Sequence, residues 1–351
     1  MELFQVWRKV MNKNCYLIIT GGTGGHIFPA IAIAQELKER NLKYKIVVIG
    51  PKIQTRAFEQ FNAKVYYKHD KLSLILHTIR IFRSVFSEPK IIATGSYASF
   101  PALFWAWLFR KPYYLIEENV IPGKVIRIFS KNAKMVFLPF EEAKEHFKRK
   151  DNLFITGVPV RIFNKISKKE AREILKIPEK SKVVLVLGGS QGSRKINRIA
   201  VKVAEKLSNY EFILIAGKDY DRLWNEIFIP KNVKVFEFFE DMSVPYMASD
   251  IAISRAGGSA ISELIYFKIP TIYIPYPKAK DNHQYYNAKA VVDRGFGIMI
   301  KEDDLDINVL KEAIIEVMEN REGYKKNILK YNCSDARERI VDYLQGIFEK
   351  V

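Results

Sequence analysis

The chain has 351 residues, 48% of them hydrophobic and 27% charged, with a formal net charge of +18, a composition that excludes a disordered chain. Its length predicts two domains of about 150 to 180 residues each, because one core rarely extends over so long a chain. The chain has no long apolar run and no signal-peptide pattern, which argues against a transmembrane helix and against secretion. Its cysteines show no regular spacing, so a disulfide framework is not indicated and the cytoplasm is favoured.

Runs of apolar and β-branched residues alternate with helical patterns along the chain. The first set of predicted strands covers residues 16–20, 45–49, 91–94, 113–116 and 135–138, and the second covers 183–187, 212–216, 233–237, 251–254 and 271–274. Helices are predicted between them, for example at 31–40, 196–207 and 259–267. Several strands are continuously apolar, as strands buried on both faces must be, so parallel sheets with right-handed crossovers are expected.

The two sets of strands predict an α/β fold of two Rossmann-like domains, whose parallel sheets are expected to face a central cleft. The segment 156–167 interrupts the pattern, because Gly157 and Pro159 break regular structure. We therefore expect an N-terminal domain at 1–160 and a C-terminal domain at 161–351.

Three glycine-rich turns follow predicted strands and precede predicted helices. They are GGTGGH at 21–26, GGSQGS at 188–193 and SRAGGS at 254–259. Glycine lets the backbone approach a ligand closely, and the N–H groups at a helix N-terminus bind anions. In open parallel sheets such turns lie beyond the carboxyl ends of the strands, where ligands bind. The pattern predicts a phosphate-containing ligand, with tight turns alone as the alternative.

The first turn fits neither of two common nucleotide-binding motifs. It is not a Walker A loop, because no Gly-Lys-Ser/Thr sequence closes it. It also departs from the dinucleotide fingerprint, since the third glycine is missing and Pro51-Lys52 follows the second strand in place of a ribose-binding acid. Hydride transfer with a nicotinamide cofactor is therefore not supported.

Seven segments resemble, in order, the motifs of a single family. They are GGTGGHIFPA (21–30), TGSYASFPA (94–102), EENVIPGK (117–124), TGVPVR (156–161), LGGSQGS (187–193), SRAGGSAISEL (254–264) and PYPKAKDNHQYYNA (275–288). The family is the peptidoglycan glycosyltransferase that makes lipid II, UDP-N-acetylglucosamine–N-acetylmuramyl-(pentapeptide) pyrophosphoryl-undecaprenol N-acetylglucosamine transferase. The resemblance implies the GT-B architecture of two Rossmann-like domains, inversion at the anomeric carbon, and no tightly bound metal or other cofactor.

The resemblance also implies a site for the donor, UDP-N-acetylglucosamine. Glu263 would accept hydrogen bonds from the ribose hydroxyls, with an ordinary first-turn carboxylate favoured by the helix dipole as the alternative. The backbone around Phe239 would receive uracil, and Ser190 would face the diphosphate with Arg161 as a cationic partner. The other donor contacts are expected in the first two glycine-rich turns and at two amides that face the sugar ring: Thr23, Gly24, Gly25, Gln191, Gly192, Asn119 and Gln284.

Transfer requires a group that takes the proton of the acceptor hydroxyl while UDP leaves. His26 is the first candidate, because it lies in a glycine-rich turn, with a purely structural histidine as the alternative. Glu117, in the EENVIPGK segment, is the second candidate base. His283 lies in the donor motif and is a further candidate for contact with the sugar.

The chain departs from the usual motifs of the family at a few positions. It reads IEEN at 116–119 where members commonly read HEQN. It also has Val158 where members usually have Asn, and His283 where Gln precedes the residue equivalent to Gln284. The changes at Ile116 and Val158 leave the reaction class intact but remove polar groups from the expected acceptor side.

The implied acceptor is attached to a polyprenyl chain, so the enzyme is expected to dock on a bilayer. Residues 1–150 contain 25 Lys and Arg against 11 Asp and Glu, whereas 151–351 contain 32 against 28, and the excess in the first half favours an anionic surface. The segment 71–86 has two apolar stripes at helical spacing, and 103–112 contains two tryptophans. Membrane contacts, with plain core as the alternative, are predicted at Leu72, Ile75, Ile79, Phe82, Arg83, Trp105 and Trp107.

The expected partners are therefore UDP-N-acetylglucosamine, a polyprenyl-linked muramyl-pentapeptide acceptor and the anionic cytoplasmic face of the cell membrane, with no nucleic acid. A UDP-N-acetylglucosamine epimerase of the same architecture is one alternative, but it leaves the 94–102 and 117–124 matches unexplained. A non-catalytic polyanion-binding protein is another, but the chain lacks the aromatic and basic interleaving of nucleic-acid binders.

Overall fold

The structure, a computed structural model, describes residues 15–22, 24–50, 58, 61, 63–67, 79, 81–88, 90–189, 192–331 and 336–347. The chain divides into two compact units, which we call unit 1 (1–162 and 335–351) and unit 2 (163–334). Within the described ranges, no helix is both long enough and apolar enough to cross a bilayer.

Unit 1 is built on a parallel sheet of seven strands. They are β1 (Cys15–Gly21), β2 (Lys43–Gly50), β3 (Lys64–Tyr67), β4 (Lys90–Ala93), β5 (Tyr113–Ile116), β6 (Met135–Leu138) and β7 (Leu153–Ile155). The strand order is β3-β2-β1-β4-β5-β6-β7, and Ile18 of β1 lies opposite Ile46 of β2 and Ile92 of β4. The direction of winding reverses between β1 and β4, and ligands bind at such a switch point in open sheets.

The helices of unit 1 cover both faces of this sheet. They include α1 (Gly24–Glu39), α2 (Phe100–Leu108) and α3 (Lys124–Phe129), with a further helical segment at 81–87. Leu17 and Ile19 pack on one face with Ala102 of α2, while Tyr16 and Ile18 pack on the other face with Ile33 of α1. The alternation follows the two-residue period of a strand and explains why β1 is apolar throughout.

Unit 2 is built on a parallel sheet of six strands in the order β10-β9-β8-β11-β12-β13. The strands are β8 (Lys182–Leu187), β9 (Tyr210–Ile215), β10 (Val233–Phe236), β11 (Ile251–Ser254), β12 (Thr271–Tyr273) and β13 (Gly297–Met299). The helices are α4 (Lys168–Ile174), α5 (Arg194–Lys206), α6 (Tyr220–Glu226), α7 (Ser243–Ala248), α8 (Gly258–Tyr266), α9 (His283–Val292), α10 (Ile307–Glu319) and α11 (Arg321–Lys330). Here the direction of winding reverses between β8 and β11, so the turns after these strands are the expected binding region.

The last helix, α12 (Ala336–Gln345), corrects the predicted domain assignment. It belongs to unit 1 and not to the second domain, so the predicted C-terminal domain at 161–351 is wrong at its end. Arg337 Nε lies 3.1 Å from Glu36 Oε2 on α1, and Arg40 of α1 pairs with Asp342. The helix also buries an apolar stripe in the core beneath α1: Ile340, Val341 and Leu344. The sequence of this helix is amphipathic and fits either unit, so the pattern does not identify its partner.

All ten predicted strands overlap observed strands, and three strands were missed. The missed strands are β3, β7 and β13, and each lies at the edge of its sheet. They are only three or four residues long and partly exposed, so they give a weaker sequence signal than a strand buried along its whole length. The boundary between the units falls after Ile162, two residues beyond the predicted one.

Candidate active site

The turn between β1 and α1 requires glycine at its first position. Gly21 has a φ of +149°, and a Cβ there would lie 1.8 Å from the carbonyl oxygen of Ile49. The hydroxyl of Ser96 donates to the carbonyl of Gly21 at 3.0 Å, and that of Thr20 donates to the carbonyl of His26 at 2.8 Å. Side chains from β1 and from the loop after β4 therefore fix the path of this turn.

Three donor contacts were predicted in this turn. Gly24 and Gly25 are the first residues of α1, so their backbone lies at the positive end of the helix dipole, where an anion is stabilised. Thr23 lies outside the described residues.

His26 lies against a buried carboxylate. Its Nδ1 is 2.8 Å from Oε1 of Glu118 and 2.8 Å from the carbonyl oxygen of Thr94. Both neighbours are acceptors, so Nδ1 carries a hydrogen and Nε2 is the nitrogen left for a substrate. The His26 side chain is 25% exposed, whereas that of Glu118 is 4% exposed. The ring is therefore held from inside the unit and remains accessible from outside.

The two carboxylates after β5 control the charge of His26. Burial of the ring opposes its protonation, but the charge and hydrogen bond of Glu118, the charge of Glu117 and the Thr94 carbonyl together raise the pKa of His26 to about 9. The imidazole is consequently protonated at neutral pH, and its ability to accept a proton increases as the pH approaches 9.

Glu117, the second candidate base, organises its own loop. Its Oε1 accepts hydrogen bonds from the backbone N–H groups of Glu118 and Asn119, both at 2.8 Å, and from the Asn119 side-chain amide at 3.2 Å. Its Oε2 accepts from the N–H of Gly123 at 2.8 Å, just before α3. Both oxygens are thus engaged within the loop, and this geometry favours a structural role over proton transfer. The Asn119 amide, predicted to contact the sugar, is anchored to the same carboxylate.

The glycine-rich turn after β8 adopts conformations that favour glycine. Gly189 and Gly192 have φ values of +85° and +76°, and a Cβ on Gly188 would lie 2.5 Å from the backbone nitrogen of Ser193. The N–H of Gly192 donates to the carbonyl of Gly189 at 2.9 Å, which closes the turn before α5 begins. Of the predicted diphosphate contacts in this turn, Gly192 is described, and Ser190 and Gln191 lie outside the described residues.

Arg255 links this turn to two other loops of unit 2. It is almost fully buried, and its Nη2 donates to the hydroxyl of Ser193 at 2.8 Å. Its Nη1 donates to the carbonyls of Ile274 and Pro275, both at 3.2 Å, and the guanidinium forms an ion pair with Glu302. Arg255 was not among the predicted site residues, although its position inside the third glycine-rich turn was a usable signal. A fixed positive charge therefore lies directly beside the loop expected to hold phosphate.

Glu263 lies on α8, which follows the third turn. It is the sixth residue of the helix and not in its first turn, so the alternative of an ordinary first-turn carboxylate is wrong. Its carboxylate is buried, and Oε2 accepts a hydrogen bond from the hydroxyl of Tyr246 at 2.7 Å. The Tyr246 ring stacks on Phe267 at 4.7 Å, which fixes the hydroxyl. This support from α7 holds the carboxylate in one orientation.

The other predicted donor contacts of unit 2 are also anchored. Gln284 lies at the start of α9, and its Oε1 accepts from the backbone N–H of Tyr276 at 2.9 Å, so its amide nitrogen can face a ligand. His283 Nδ1 lies 2.8 Å from the carbonyl of Lys280. The half-buried Phe239 ring packs edge-on against Phe236 at 5.0 Å, just after β10.

Arg161, the predicted cationic partner of the diphosphate, belongs to unit 1. Its guanidinium lies over the ring of Phe28, 4.4 Å from the centroid. Phe28 is part of α1, two residues after His26, so Arg161 is held against the helix that begins at the first glycine-rich turn.

The predicted membrane residues are divided between core and surface. On the helical segment 81–87, Ile81 and Val85 are fully buried, which assigns one of the two predicted stripes to the core. Ile79 is 64% exposed and Trp107 is 48% exposed, which excludes plain core for these two. Phe82 and Trp105 are half-buried and pack edge-on at 4.9 Å, Arg83 is exposed, and Leu72 and Ile75 lie outside the described residues.

Comparison with known proteins decides the family. The N-terminal domain of glycosyltransferase family 28 matches residues 16–138, and the C-terminal domain of the same family matches residues 183–341. The chain belongs to this family. Two curated relatives, from Sulfurihydrogenibium sp. and Aquifex aeolicus, are both named UDP-N-acetylglucosamine–N-acetylmuramyl-(pentapeptide) pyrophosphoryl-undecaprenol N-acetylglucosamine transferase. They are 32% and 33% identical over 94% and 93% of this chain and 97% and 98% of their own lengths.

Solved structures confirm the predicted fold class. MurG of Acinetobacter baumannii is similar with a TM-score of 0.73 at 22% identity, covering 95% of this chain and 99% of that one. A putative UDP-N-acetylglucosamine 2-epimerase of Listeria monocytogenes is also similar, with a TM-score of 0.71 at 13% identity over 97% and 98%. The GT-B architecture of two Rossmann-like domains is therefore common to transferases and epimerases, and the curated relatives favour the transferase.

Proposed function

We propose that this protein transfers N-acetylglucosamine from UDP-N-acetylglucosamine to the muramyl sugar of undecaprenyl-pyrophosphoryl-MurNAc-pentapeptide, which converts lipid I to lipid II in peptidoglycan synthesis. The observation that carries the proposal is the nearly full-length match to curated relatives of that name, at 31% to 33% identity. The geometry of both units supports the same chemistry.

Unit 2 would bind the donor. A diphosphate placed at the turn after β8 would meet the N-terminus of α5 and the nearby Arg255 charge, both of which stabilise a leaving anion. The Glu263 carboxylate can accept hydrogen bonds from a ribose diol. The hydroxyl of Tyr246 holds this carboxylate in one orientation. The amide of Gln284 and the backbone near Phe239 would contact the sugar and uracil.

Unit 1 would supply the base. The acceptor hydroxyl attacks the anomeric carbon, its proton passes to Nε2 of His26, and the electron pair of the broken C–O bond leaves with UDP. Attack from the face opposite the leaving group inverts the anomeric centre. The carboxylate of Glu117 would keep the acceptor loop in shape, and Asn119 would be presented from the same loop.

Unit 1 would also dock on the anionic cytoplasmic face of the membrane. Exposed apolar side chains from the segment 79–87 and from α2 and its end form what we call the aromatic surface: Ile79, Phe86, Trp107, Leu108 and Phe109. The rings of Phe82, Phe86 and Phe109 pack within 5.0 to 5.8 Å of one another, so the surface is stiff and loses little entropy on binding. The exposed cations Arg83 and Arg110 are well placed for lipid phosphates.

The proposal is tested by measuring UDP release by the full-length protein with and without a lipid-linked muramyl acceptor. We expect release only when the acceptor is present. An epimerase would instead convert the nucleotide sugar to its C2 epimer without the acceptor, and a polyanion-binding protein would do neither. Either of those outcomes would refute the transferase.

A further inference from the structure

The carboxylate that contacts His26 belongs to Glu118, a residue that was not among the predicted site residues. Glu118 Oε1 lies 2.8 Å from Nδ1 of His26, and the two residues come from different parts of the sheet. His26 is on the first turn of α1, while Glu118 is the second residue after β5. The contact therefore depends on the tertiary fold and does not follow from a local sequence pattern.

The backbone at Glu118 is held by hydrogen bonds within its own loop and to β6. The N–H of Glu117 donates to the carbonyl of Phe137 at 2.9 Å, and the N–H of Glu118 donates to Oε1 of Glu117 at 2.8 Å. The two carboxylates then have separate tasks, because Glu117 binds the loop backbone and Glu118 reaches His26. Because the loop already restrains this buried carboxylate, little additional conformational entropy is lost when it contacts the histidine.

We propose that Glu118 is the positioning residue of His26: its carboxylate holds the Nδ1 hydrogen and so fixes the tautomer that leaves Nε2 to receive the proton of the acceptor hydroxyl. The arrangement of carboxylate, imidazole and hydroxyl is a general one for proton abstraction. The catalytic part of this inference rests on the proposed function, whereas the pairing itself does not.

Among the described residues, the charged groups that act on His26 come from one loop. Glu118 and Glu117 lie on the loop after β5, and the carbonyl of Thr94, on the loop after β4, adds an uncharged acceptor. Glu118 makes the direct ion pair, 2.8 Å from Nδ1, and the larger charge contribution. Replacing its carboxylate with an amide should therefore change the titration of His26 more than any other single substitution in this loop.

The pair also determines where the proton goes. In the transfer step a C–O bond forms at the anomeric carbon, the bond to the diphosphate breaks with its electron pair, and the proton of the hydroxyl moves to Nε2. Glu118 stays ionised and stabilises the imidazolium that results. The proton is released to solvent after the products leave.

The test combines ¹⁵N NMR of the histidine ring with kinetics on the full-length protein. The wild type, Glu118→Gln and Glu118→Asp are titrated, and the His26 signal is assigned from its loss in His26→Asn. We expect the wild-type ring to titrate near pH 9 with Nδ1 protonated in the neutral form. Glu118→Gln should lower that midpoint by about one pH unit or more, and Glu118→Asp should lie between the two. Glu141→Gln, an exposed carboxylate of the same unit, is the control and should match the wild type.

The kinetic arm measures kcat/KM for the lipid-linked acceptor against pH by UDP release. The rising limb should move to lower pH in Glu118→Gln by the same interval as the NMR midpoint, while KM for the donor stays unchanged. An unshifted NMR midpoint would overturn the pairing. A shifted midpoint with an unshifted rate limb would overturn the positioning role. If the wild type released no UDP with the acceptor, the proposed function would fail, while the NMR result would still decide whether Glu118 controls His26.

Discussion

The two units use the same sheet architecture but place different kinds of charge beside their glycine-rich turns. In unit 1 the turn after β1 leads to His26, whose charge depends on pH through Glu118. In unit 2 the turn after β8 lies beside Arg255, whose guanidinium donates a hydrogen bond to the Ser193 hydroxyl and pairs with Glu302. The two glycine-rich turns therefore lie beside different ionic groups, a histidine–carboxylate pair in unit 1 and an arginine in unit 2.

The units differ in their surfaces as well. Residues 1–150 have 14 more basic than acidic residues, and unit 1 carries the aromatic surface. Residues 151–351 have an excess of only four. Substitutions in unit 1 should therefore change membrane binding, turnover and pH dependence, whereas substitutions in unit 2 should change donor binding.

The largest effect is expected on the aromatic surface. Replacing Ile79, Trp107 and Leu108 together by Ser should weaken sedimentation with anionic vesicles by about a thousandfold or more, because each buried apolar side chain contributes about 1.5–3 kcal/mol. All three are exposed, so the thermal midpoint should hardly change. The matched control replaces three exposed apolar residues of unit 2 by Ser: Ile174, Phe228 and Leu329. If both triple variants lost vesicle binding equally, the aromatic surface of unit 1 would not be the site of membrane binding.

The second largest effect is expected on turnover when the proposed base, His26, is replaced. His26→Asn keeps a donor near Glu118 but removes Nε2, so turnover should fall by roughly a hundredfold or more. The affinity for UDP should remain close to that of the wild type, since the proposed contacts of Nε2 are to the acceptor hydroxyl and not to the nucleotide. The exposed His146→Asn of unit 1 is the control. Near-normal turnover in His26→Asn would make this histidine a structural residue.

Replacing Glu263 tests the proposed binding of the donor by unit 2. Glu263→Ala should raise the donor KM by about ten- to a hundredfold, because each lost charged hydrogen bond costs about 1.5–3 kcal/mol. Turnover should fall much less, since the ribose is remote from the broken bond. Tyr246→Phe, which removes only the hydroxyl bonded to Oε2, should have a smaller effect on KM. A donor affinity in Glu263→Ala equal to that of the wild type would remove its assignment to the ribose.

The smallest effect is on stability. The folded pKa of His26, about 9, is above its usual value of 6.5, so its stabilising contribution is complete below pH 6.5 and is lost as the pH rises through 9. Between pH 7.5 and 9 the free energy of unfolding should fall by roughly 1–2 kcal/mol from this group. Subtracting the thermal melts of His26→Asn from those of the wild type isolates the contribution. A difference that does not vary across this range would contradict the ion pair with Glu118.

The sequence predicted the central strands and the positions of the glycine-rich turns, because buried parallel strands are continuously apolar and tight turns need glycine. The sequence did not predict features whose place in the fold depends on a contact with a distant part of the chain. The edge strand β13 is only three residues long, and α12 has an amphipathic pattern that fits either unit. Glu118 and Arg255 were missed as site residues for the same reason, since their partners His26 and Ser193 are distant in sequence. The sequence also could not separate Glu117 from Glu118, which are adjacent but face different partners.

The proposed reaction joins a donor sugar to a lipid-linked acceptor. The most direct measurement is the structure of the product formed by the full-length protein, UDP-N-acetylglucosamine and a lipid-linked muramyl-pentapeptide, determined by mass spectrometry and by NMR of the new glycosidic bond. We predict one N-acetylglucosamine on the muramyl sugar for each UDP released, with the anomeric configuration inverted relative to the donor. An unchanged acceptor together with an epimerised nucleotide sugar would contradict the account.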